Sequence, residues 1–189
     1  FEKADSALIA AYPNNPHALV FRKQFGLMKE EMAAQVANQM RQDAIGVGNP
    51  APEIALPKED GSILKLSDLR GQVVLVDFWA AWCRPCRMSN PKLVEMYNRY
   101  KDQGFTILSV SFDGLQNQQT PKQDWLKAIA DDGLVWDNHI SDLKGWSSAA
   151  GQAYGIQSIP YTVLVDREGN IVAKQFGPDR LPELLEPIL

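Results

Sequence analysis

Cysteine is scarce in this sequence, since its 189 residues include only Cys83 and Cys86. Two cysteines are too few for the disulfide framework of a small secreted domain, and too few for a four-ligand zinc site. The two histidines, His17 and His139, are not spaced from the cysteines as metal ligands would be. We therefore expect neither a metal nor a cofactor.

Long apolar runs and basic clusters are also missing. No stretch of 18 or more apolar residues occurs, so no segment has the length of a transmembrane helix. Lysine and arginine are interleaved with acidic residues at a net charge of -4, which argues against a nucleic-acid-binding protein. The chain starts at Phe1 without a methionine or a leader, as either a trimmed chain or a processed exported precursor would.

The first 45 residues differ from the rest in their pattern. A short helix is predicted over residues 1–11 and a second over residues 18–44, before a segment rich in glycine and proline. We predict an N-terminal helical extension of residues 1–45 and one domain of residues 46–189. The second helix carries an apolar stripe, which we expect to pack on its own domain, with a docking or dimer surface as the alternative: Phe21, Phe25, Met28, Met32 and Val36.

Strand and helix patterns alternate after residue 46. Val73–Trp79 and residues 105–112 are continuous apolar runs, typical of strands that are covered on both faces. A helix is predicted from near Cys83 to residue 101, and a late hairpin from residues 161–175. This order predicts an α/β fold with a mixed central sheet flanked by helices. Shorter helical segments are predicted at residues 67–71 with a serine cap, and at residues 120–130, 146–154 and 181–189.

The two cysteines occupy the first turn of a predicted helix, with Arg84 and Pro85 between them. Residues three apart on a helix lie on one side, so the pair can cycle between dithiol and disulfide with little movement. Pro85 is tolerated in the first turn, and the N–H groups there favour a thiolate, which is the attacking species. We predict that Cys83 is the exposed nucleophile and that Cys86 resolves the mixed disulfide.

Asp77 interrupts the apolar run six residues before Cys83. A buried carboxyl group has a raised pKa, because desolvation disfavours its charged form. A carboxylate that titrates near neutrality can take the proton of Cys86, directly or through a water molecule. We predict that Asp77 is a buried general base; the alternative is an exposed, ionised carboxylate at the end of a strand.

Three segments resemble the thioredoxin superfamily. Residues 76–86 read Val-Asp-Phe-Trp-Ala-Ala-Trp-Cys-Arg-Pro-Cys, similar to the active-site strand and helix of thioredoxins. Residues 158–162 resemble the cis-proline loop, which implies that Pro160 packs beside the cysteines and that the Ile159 backbone offers a strand-like edge to the substrate. The long segment 113–145 resembles the α/β insertion of the TlpA/ResA-like (redoxin-type) branch.

The resemblance covers residues 46–189 and implies a thioredoxin-like fold. It further implies a periplasmic or cell-envelope thiol-disulfide oxidoreductase, possibly anchored to the membrane in its full precursor. Its expected partners are disulfide-containing envelope proteins as substrates and a membrane-bound electron donor. The residues expected to contact the substrate surround the cysteines: Trp82, Arg84, Pro85, Ile159 and Pro160.

Two positions depart from the pattern of the superfamily. Ser89 stands where many members of the branch carry a glutamate, so proton handling is assigned to Asp77 alone. Ser109 stands where thioredoxins hold a lysine against the aspartate, so we expect a still higher pKa for Asp77. The direction of electron flow follows from opposing effects, because Arg84 favours an oxidant and Asp77 a reductant. We expect mainly a reductant.

Two other functions are weighed against this one. A peroxide-reducing redoxin would need a Pro-x-x-x-Thr-x-x-Cys setting, and the eight residues that end at Cys83 contain neither that proline nor that threonine. A partner-binding module with a secondary redox role would use the exposed Trp82 as a contact residue. The remaining tryptophans are expected in the core: Trp79, Trp125, Trp136 and Trp146.

Overall fold

The computed structural model describes residue 11 and residues 15–189. Apart from Ala11, the short helix predicted over residues 1–11 lies outside the described residues. The contacts divide the chain into two units, Phe1–Arg41 and Gln42–Leu189, and each unit is described by itself. The predicted domain boundary after residue 45 stays a prediction.

Helix α1 spans Pro16–Ala44. It begins two residues before the predicted start, because the Asn15 side chain accepts a hydrogen bond from the backbone N–H of His17 at 2.9 Å. This is the contact of an N-cap residue, and Pro16 suits the first helical position. Four residues of the apolar stripe are about half exposed: Phe21, Met28, Met32 and Val36.

Seven strands form two sheets in the second unit. A hairpin consists of β1 (Ala55–Pro57) and β2 (Ile63–Lys65), and a central sheet consists of β3 (Val73–Trp79), β4 (Phe105–Ser111), β5 (His139–Ile140), β6 (Tyr161–Val165) and β7 (Ile171–Lys174). The strand order of the central sheet is β5-β4-β3-β6-β7. The sheet is mixed, as predicted, because β3 lies parallel to β4 and antiparallel to β6.

Helices connect these strands in the predicted places. Helix α2 (Arg84–Tyr100) follows β3 and continues past Pro91, and α3 (Pro121–Asp131) follows β4. The predicted insertion, residues 113–145, contains α3 and β5, and the short helix α4 (Ala149–Ala153) follows it before β6. Helix α5 (Leu181–Leu185) closes the chain.

Three short segments differ from the prediction. Residues 66–69 form a 3-10 turn whose N-cap residue is Lys65, so the predicted serine cap is wrong; the backbone N–H of Lys65 donates to the Asp68 carboxylate at 2.9 Å. The helix predicted over residues 146–154 is interrupted, because Ser148 has an extended backbone. Helix α5 ends early, because Pro187 has no N–H to continue the helical hydrogen bonds.

The core of the second unit is built on the two central strands. Every residue of β3 and β4 is buried, which explains their unbroken apolar sequences. On one face, the ring of Phe78 lies 5.2–6.2 Å from the rings of Phe112, Tyr154 and Tyr161. The buried cluster reaches from Ile45, just after α1, to Leu185.

The outer edge of β7 is partly covered by the segment that follows α1. The N–H of Gly48 donates to the carbonyl of Ile171 at 2.8 Å, and the N–H of Ile171 donates to the carbonyl of Asn49 at 2.9 Å. The N–H of Ala51 donates to Gly169 at 2.9 Å. These bonds satisfy backbone groups that an edge strand would otherwise present to solvent.

Candidate active site

A disulfide between Cys83 and Cys86 lies at the junction of β3 and α2. Cys83 is the N-cap residue of α2, and its sulfur accepts the N–H of Cys86 at 3.3 Å. Pro85 occupies the first turn, as predicted from its missing N–H. In the reduced protein, negative charge on the Cys83 sulfur would face the positive end of the helix, which stabilises a thiolate.

The sulfur of Cys83 is more enclosed than predicted. In this disulfide state Cys83 is 4% exposed and Cys86 is 2% exposed, so the prediction of an exposed Cys83 is wrong for this state. The side chain turns back over the first helical turn, because its sulfur is bonded to Cys86 and also accepts the N–H of Cys86.

Two acidic residues at the C-terminal end of α3, Asp131 and Asp132, lie beside this first turn and were not predicted. The guanidinium of Arg87 pairs with Asp132, lies 3.9 Å from Asp131, and donates to the carbonyl of Ala81 at 3.4 Å. The positive charge of Arg87 is therefore balanced within the fold. Arg84 is exposed and is the cation of the Cys-Arg-Pro-Cys segment that faces solvent.

Asp77 lies inside the sheet, between Ser109 of β4 and Thr162 of β6 in the strand register. It is 4% exposed, and this burial raises its pKa to about 7. The neighbouring Ser109 hydroxyl accepts the indole N–H of Trp136 at 3.0 Å. At the position where thioredoxins hold a lysine, this chain therefore places a neutral side chain that already has a partner.

A cavity of about 320 Å³ joins Asp77 to Cys86. The volume exceeds that of several water molecules, so water can link the carboxyl group to the sulfur. Ser89, at the position of the glutamate of related proteins, also lines the cavity and donates to the carbonyl of Pro85 at 3.3 Å. Pro160, the residue before β6, borders the same cavity.

The predicted substrate-contacting residues lie on two sides of this cavity and of the disulfide. The peptide bond between Ile159 and Pro160 is cis, and Pro160 is exposed while Ile159 is half-buried. Trp82, beside the disulfide, is 39% exposed, and Arg84 and Pro85 are also exposed. All five residues therefore have surface available to a bound protein.

The prediction that Trp146 lies in the core is wrong. Trp79, Trp125 and Trp136 are buried as predicted, whereas Trp146 is 44% exposed. Its ring centroid lies 6.1 Å from that of Trp82 and 5.3 Å from that of Phe112. The segment around Trp146 has no regular apolar period that would have indicated which side chain faces outward.

Comparison with known protein families identifies the family of this chain. The model of the AhpC/TSA family matches residues 47–174. The chain belongs to the AhpC/TSA family. Within this family it is similar to the thiol-disulfide oxidoreductase ResA of Geobacillus kaustophilus, with 34% identity over 128 residues, 68% of each chain. ResA of Bacillus subtilis is 28% identical over 133 residues, 69% of this chain and 67% of that protein.

Solved structures agree with this assignment. The thioredoxin domain of a thiol-disulfide oxidoreductase from Bacteroides vulgatus matches with a TM-score of 0.65 and 38% identity, over 75% of this chain and 96% of that one. A thiol-disulfide oxidoreductase from Bacteroides fragilis matches with a TM-score of 0.66 and 31% identity, over 75% of this chain and all of that one. The predictions of a thioredoxin-like fold, a TlpA/ResA-like redoxin and a thiol-disulfide oxidoreductase are confirmed.

Two features are absent from the residues that the structure describes. Among them, no helix is long and apolar enough to cross a membrane. Within the same part of the chain, histidine, cysteine and acidic side chains form no cluster that would hold a metal ion.

Proposed function

We propose that this AhpC/TSA family member reduces disulfides of cell-envelope proteins through Cys83 and Cys86. One observation carries the proposal: the two cysteines form a disulfide at the N-terminus of α2, with Cys83 as the cap. This position stabilises the thiolate of the residue that must attack first.

The reaction proceeds in two exchange steps. The Cys83 thiolate attacks one sulfur of the substrate disulfide, which forms a mixed disulfide and releases the first substrate thiolate. Cys86 then loses its proton and attacks the Cys83 sulfur, which releases the second substrate thiolate and forms the disulfide present in this structure. The dithiol of the protein is oxidised by two electrons, and the substrate disulfide is reduced to two thiols.

Asp77 takes the proton of Cys86 in this scheme. The two side chains line one cavity, and the pKa of Asp77, raised to about 7 by burial, suits proton transfer near neutral pH. The exposed groups around the disulfide then hold the substrate, with the backbone at Ile159 and Pro160 as a pairing edge and Trp82, Arg84 and Pro85 on the other side.

The cellular setting follows from the resemblance to the TlpA/ResA-like branch. We propose a periplasmic or envelope location and re-reduction of the Cys83–Cys86 disulfide by a membrane-bound thiol donor. Asp77 favours the reducing direction, because a carboxylate close to the cysteines disfavours their thiolates, and a less stabilised reduced form gives up its electrons more readily.

A trapping experiment tests the proposal. Cys86→Ser leaves Cys83 free to form a mixed disulfide that cannot be resolved, so envelope proteins should accumulate on this variant and be identifiable by mass. Cys83→Ser is the matched control and should trap none. The proposal is wrong if Cys86→Ser captures no more protein than Cys83→Ser, or if the wild type consumes hydrogen peroxide much faster than it reduces peptide disulfides.

A further inference from the structure

Two exposed tryptophans lie side by side next to the disulfide. Trp82 is 39% and Trp146 is 44% exposed, and their ring centroids are 6.1 Å apart; we call them the tryptophan pair. The other three tryptophans are at most 2% exposed. Adjacent large apolar side chains on a surface mark contact sites, and tryptophan is enriched among residues that dominate binding energy.

The segment that carries Trp146 is held in one conformation. The Asp142 carboxylate accepts the backbone N–H groups of Lys144 at 3.2 Å and Ala149 at 3.1 Å, on both sides of Trp146. The indole ring also packs edge to face on Phe112 at the end of β4. A rigid aromatic side chain loses little conformational entropy when a partner binds, so this surface is prepared for contact.

Buried Asp113 connects the two halves of the tryptophan pair. Its carboxylate accepts the N–H of Ala81, the residue before Trp82, at 3.0 Å. Its backbone carbonyl accepts the N–H of Gly145, the residue before Trp146, at 3.2 Å. Asp113 is therefore a positioning residue that fixes Trp146 relative to Trp82 and hence to the adjacent Cys83.

The charged groups near Trp82 are paired with each other. Arg87 pairs with Asp132, and Lys127 lies 2.6 Å from Asp131. Recognition on this side of the disulfide therefore falls to the apolar ring faces and to the exposed Arg84. A substrate cysteine that bonds to Cys83 brings its neighbouring residues over Trp82, which adjoins Cys83 in the chain.

We propose that Trp146 determines substrate specificity by forming, with Trp82, the contact surface for an apolar side chain next to the cysteine of the substrate disulfide. The inference rests on the proposed function, since it names a feature of the protein substrate. Neither the motif around Cys83 nor the cis-proline loop includes Trp146, which comes from the segment between β4 and β6.

Two peptide disulfides that differ in one residue test the inference. One carries leucine and the other serine directly after the reacting cysteine. The reduced wild-type protein should reduce the leucine peptide with the higher kcat/KM. Trp146→Ala should lower kcat/KM for the leucine peptide about tenfold (about 1.4 kcal/mol), mainly through KM, and for the serine peptide about twofold, because the truncated side chain is the anchor for leucine.

Two more variants separate recognition from folding. Trp146→Phe keeps a ring against Phe112 and should lose the leucine preference only in part. Val135→Ala truncates an exposed apolar residue between α3 and β5 and should keep the full preference. The rate at which dithiothreitol reduces the disulfide reports damage to the cysteine pair itself.

Distinct outcomes overturn the two proposals. Equal losses on both peptides, a matching loss in the dithiothreitol rate, or an unchanged preference in both Trp146 variants would overturn the role of Trp146. A wild-type protein that reduces neither peptide would overturn the proposed function, and with it this inference. The predicted role stands only if the leucine preference itself falls.

Discussion

At Asp77 a carboxyl group lies within the sheet, and its burial raises the pKa from 3.8 to about 7. Between about pH 4 and pH 7 this group is ionised in the unfolded chain but keeps its proton in the folded one. The folded protein then binds more protons, so the free energy of unfolding falls as the pH rises through this range. At pH 8 the protein carries the full cost of an ionised carboxylate inside the sheet.

Asp77→Asn should therefore stabilise the oxidised protein in a pH-dependent way. We expect the free energy of unfolding to rise by about 2–4 kcal/mol at pH 8 and to change little at pH 4, because asparagine does not ionise. Urea unfolding at both pH values measures this, with the exposed Asp179→Asn as the control. An equal effect at both pH values would show that Asp77 is not the titrating group.

The same variant tests the chemical role of Asp77. If the carboxylate takes the proton of Cys86, Asp77→Asn should slow resolution of the mixed disulfide by at least about tenfold at pH 7. The rate of the variant should then increase with pH up to the pKa of Cys86. A wild-type rate in the variant would remove Asp77 from the reaction while leaving the cysteine pair in place.

At the scale of elements, the end of β4 is held tightly to the loop that precedes Trp146. Gly114 has a φ of +108°, and a Cβ atom there would lie 2.0 Å from the carbonyl oxygen of Leu143. Gly71 has a similar φ of +87° but no atom within 4 Å of its Cβ position. Substitution would therefore strain the backbone at both glycines, but only at Gly114 would the new Cβ atom clash with the backbone of Leu143.

Gly114→Ala should cost clearly more stability than Gly71→Ala. We expect about 1 kcal/mol for Gly71→Ala from the left-handed backbone alone. Gly114→Ala adds a backbone clash and should cost about 3 kcal/mol or more, because β4 and the insertion must separate. Denaturant unfolding of both variants measures the difference. Equal losses in the free energy of unfolding would show that the backbone at Leu143 can move away without a loss of stability.

The elements that the sequence predicted best are those with a single environment along their length. Val73–Trp79 is buried on both faces, so every residue is apolar except Asp77, and both strand ends were predicted correctly. The segment around Trp146 alternates short turns and bends, so no period distinguishes an exposed ring from a buried one. Ser148 interrupts a helix through its extended backbone, and Pro187 ends one because it has no N–H. The pattern of apolar residues reveals neither effect.

The site was predictable to the extent that it lies in contiguous residues. The cysteine pair and Asp77 are nine residues apart at most in the chain, and a strand-to-helix order brings them together. Asp113 and Trp146 reach the same place only through the pairing of β4 with β3 and the fold of the insertion. The enclosure of Cys83 follows from contacts of its sulfur with Cys86, the disulfide bond and the backbone N–H, which the sequence pattern does not reveal.

At the scale of the whole molecule, the boundary between the two units determines which residues stabilise the sheet. Ile45 follows α1 directly and is fully buried in the cluster of the second unit. Val36, nine residues earlier, is 58% exposed. The predicted N-terminal extension of residues 1–45 includes both residues, and Ile45 packs in the buried cluster of the second unit.

Ile45→Ala and Val36→Ala, each made in the full chain, test whether Ile45 belongs to the core of the sheet and Val36 does not. We expect Ile45→Ala to lower the free energy of unfolding of the sheet by about 3 kcal/mol, through lost burial and the cavity left behind. Val36→Ala should change it by about 0.5 kcal/mol or less. Similar effects of the two substitutions would contradict the placement of Ile45 in the core of the sheet.

The connection after α1 also protects the edge of the central sheet, because Gly48 and Asn49 form hydrogen bonds with Ile171 of β7. A protease that cut after Ala51 would separate these pairing residues, together with α1, from the rest of the chain. It would leave the amide and carbonyl groups at the start of β7 without partners, and an open strand of this kind recruits strands from other molecules. Cleaved protein would therefore self-associate as its concentration rises, even with its cysteine pair intact.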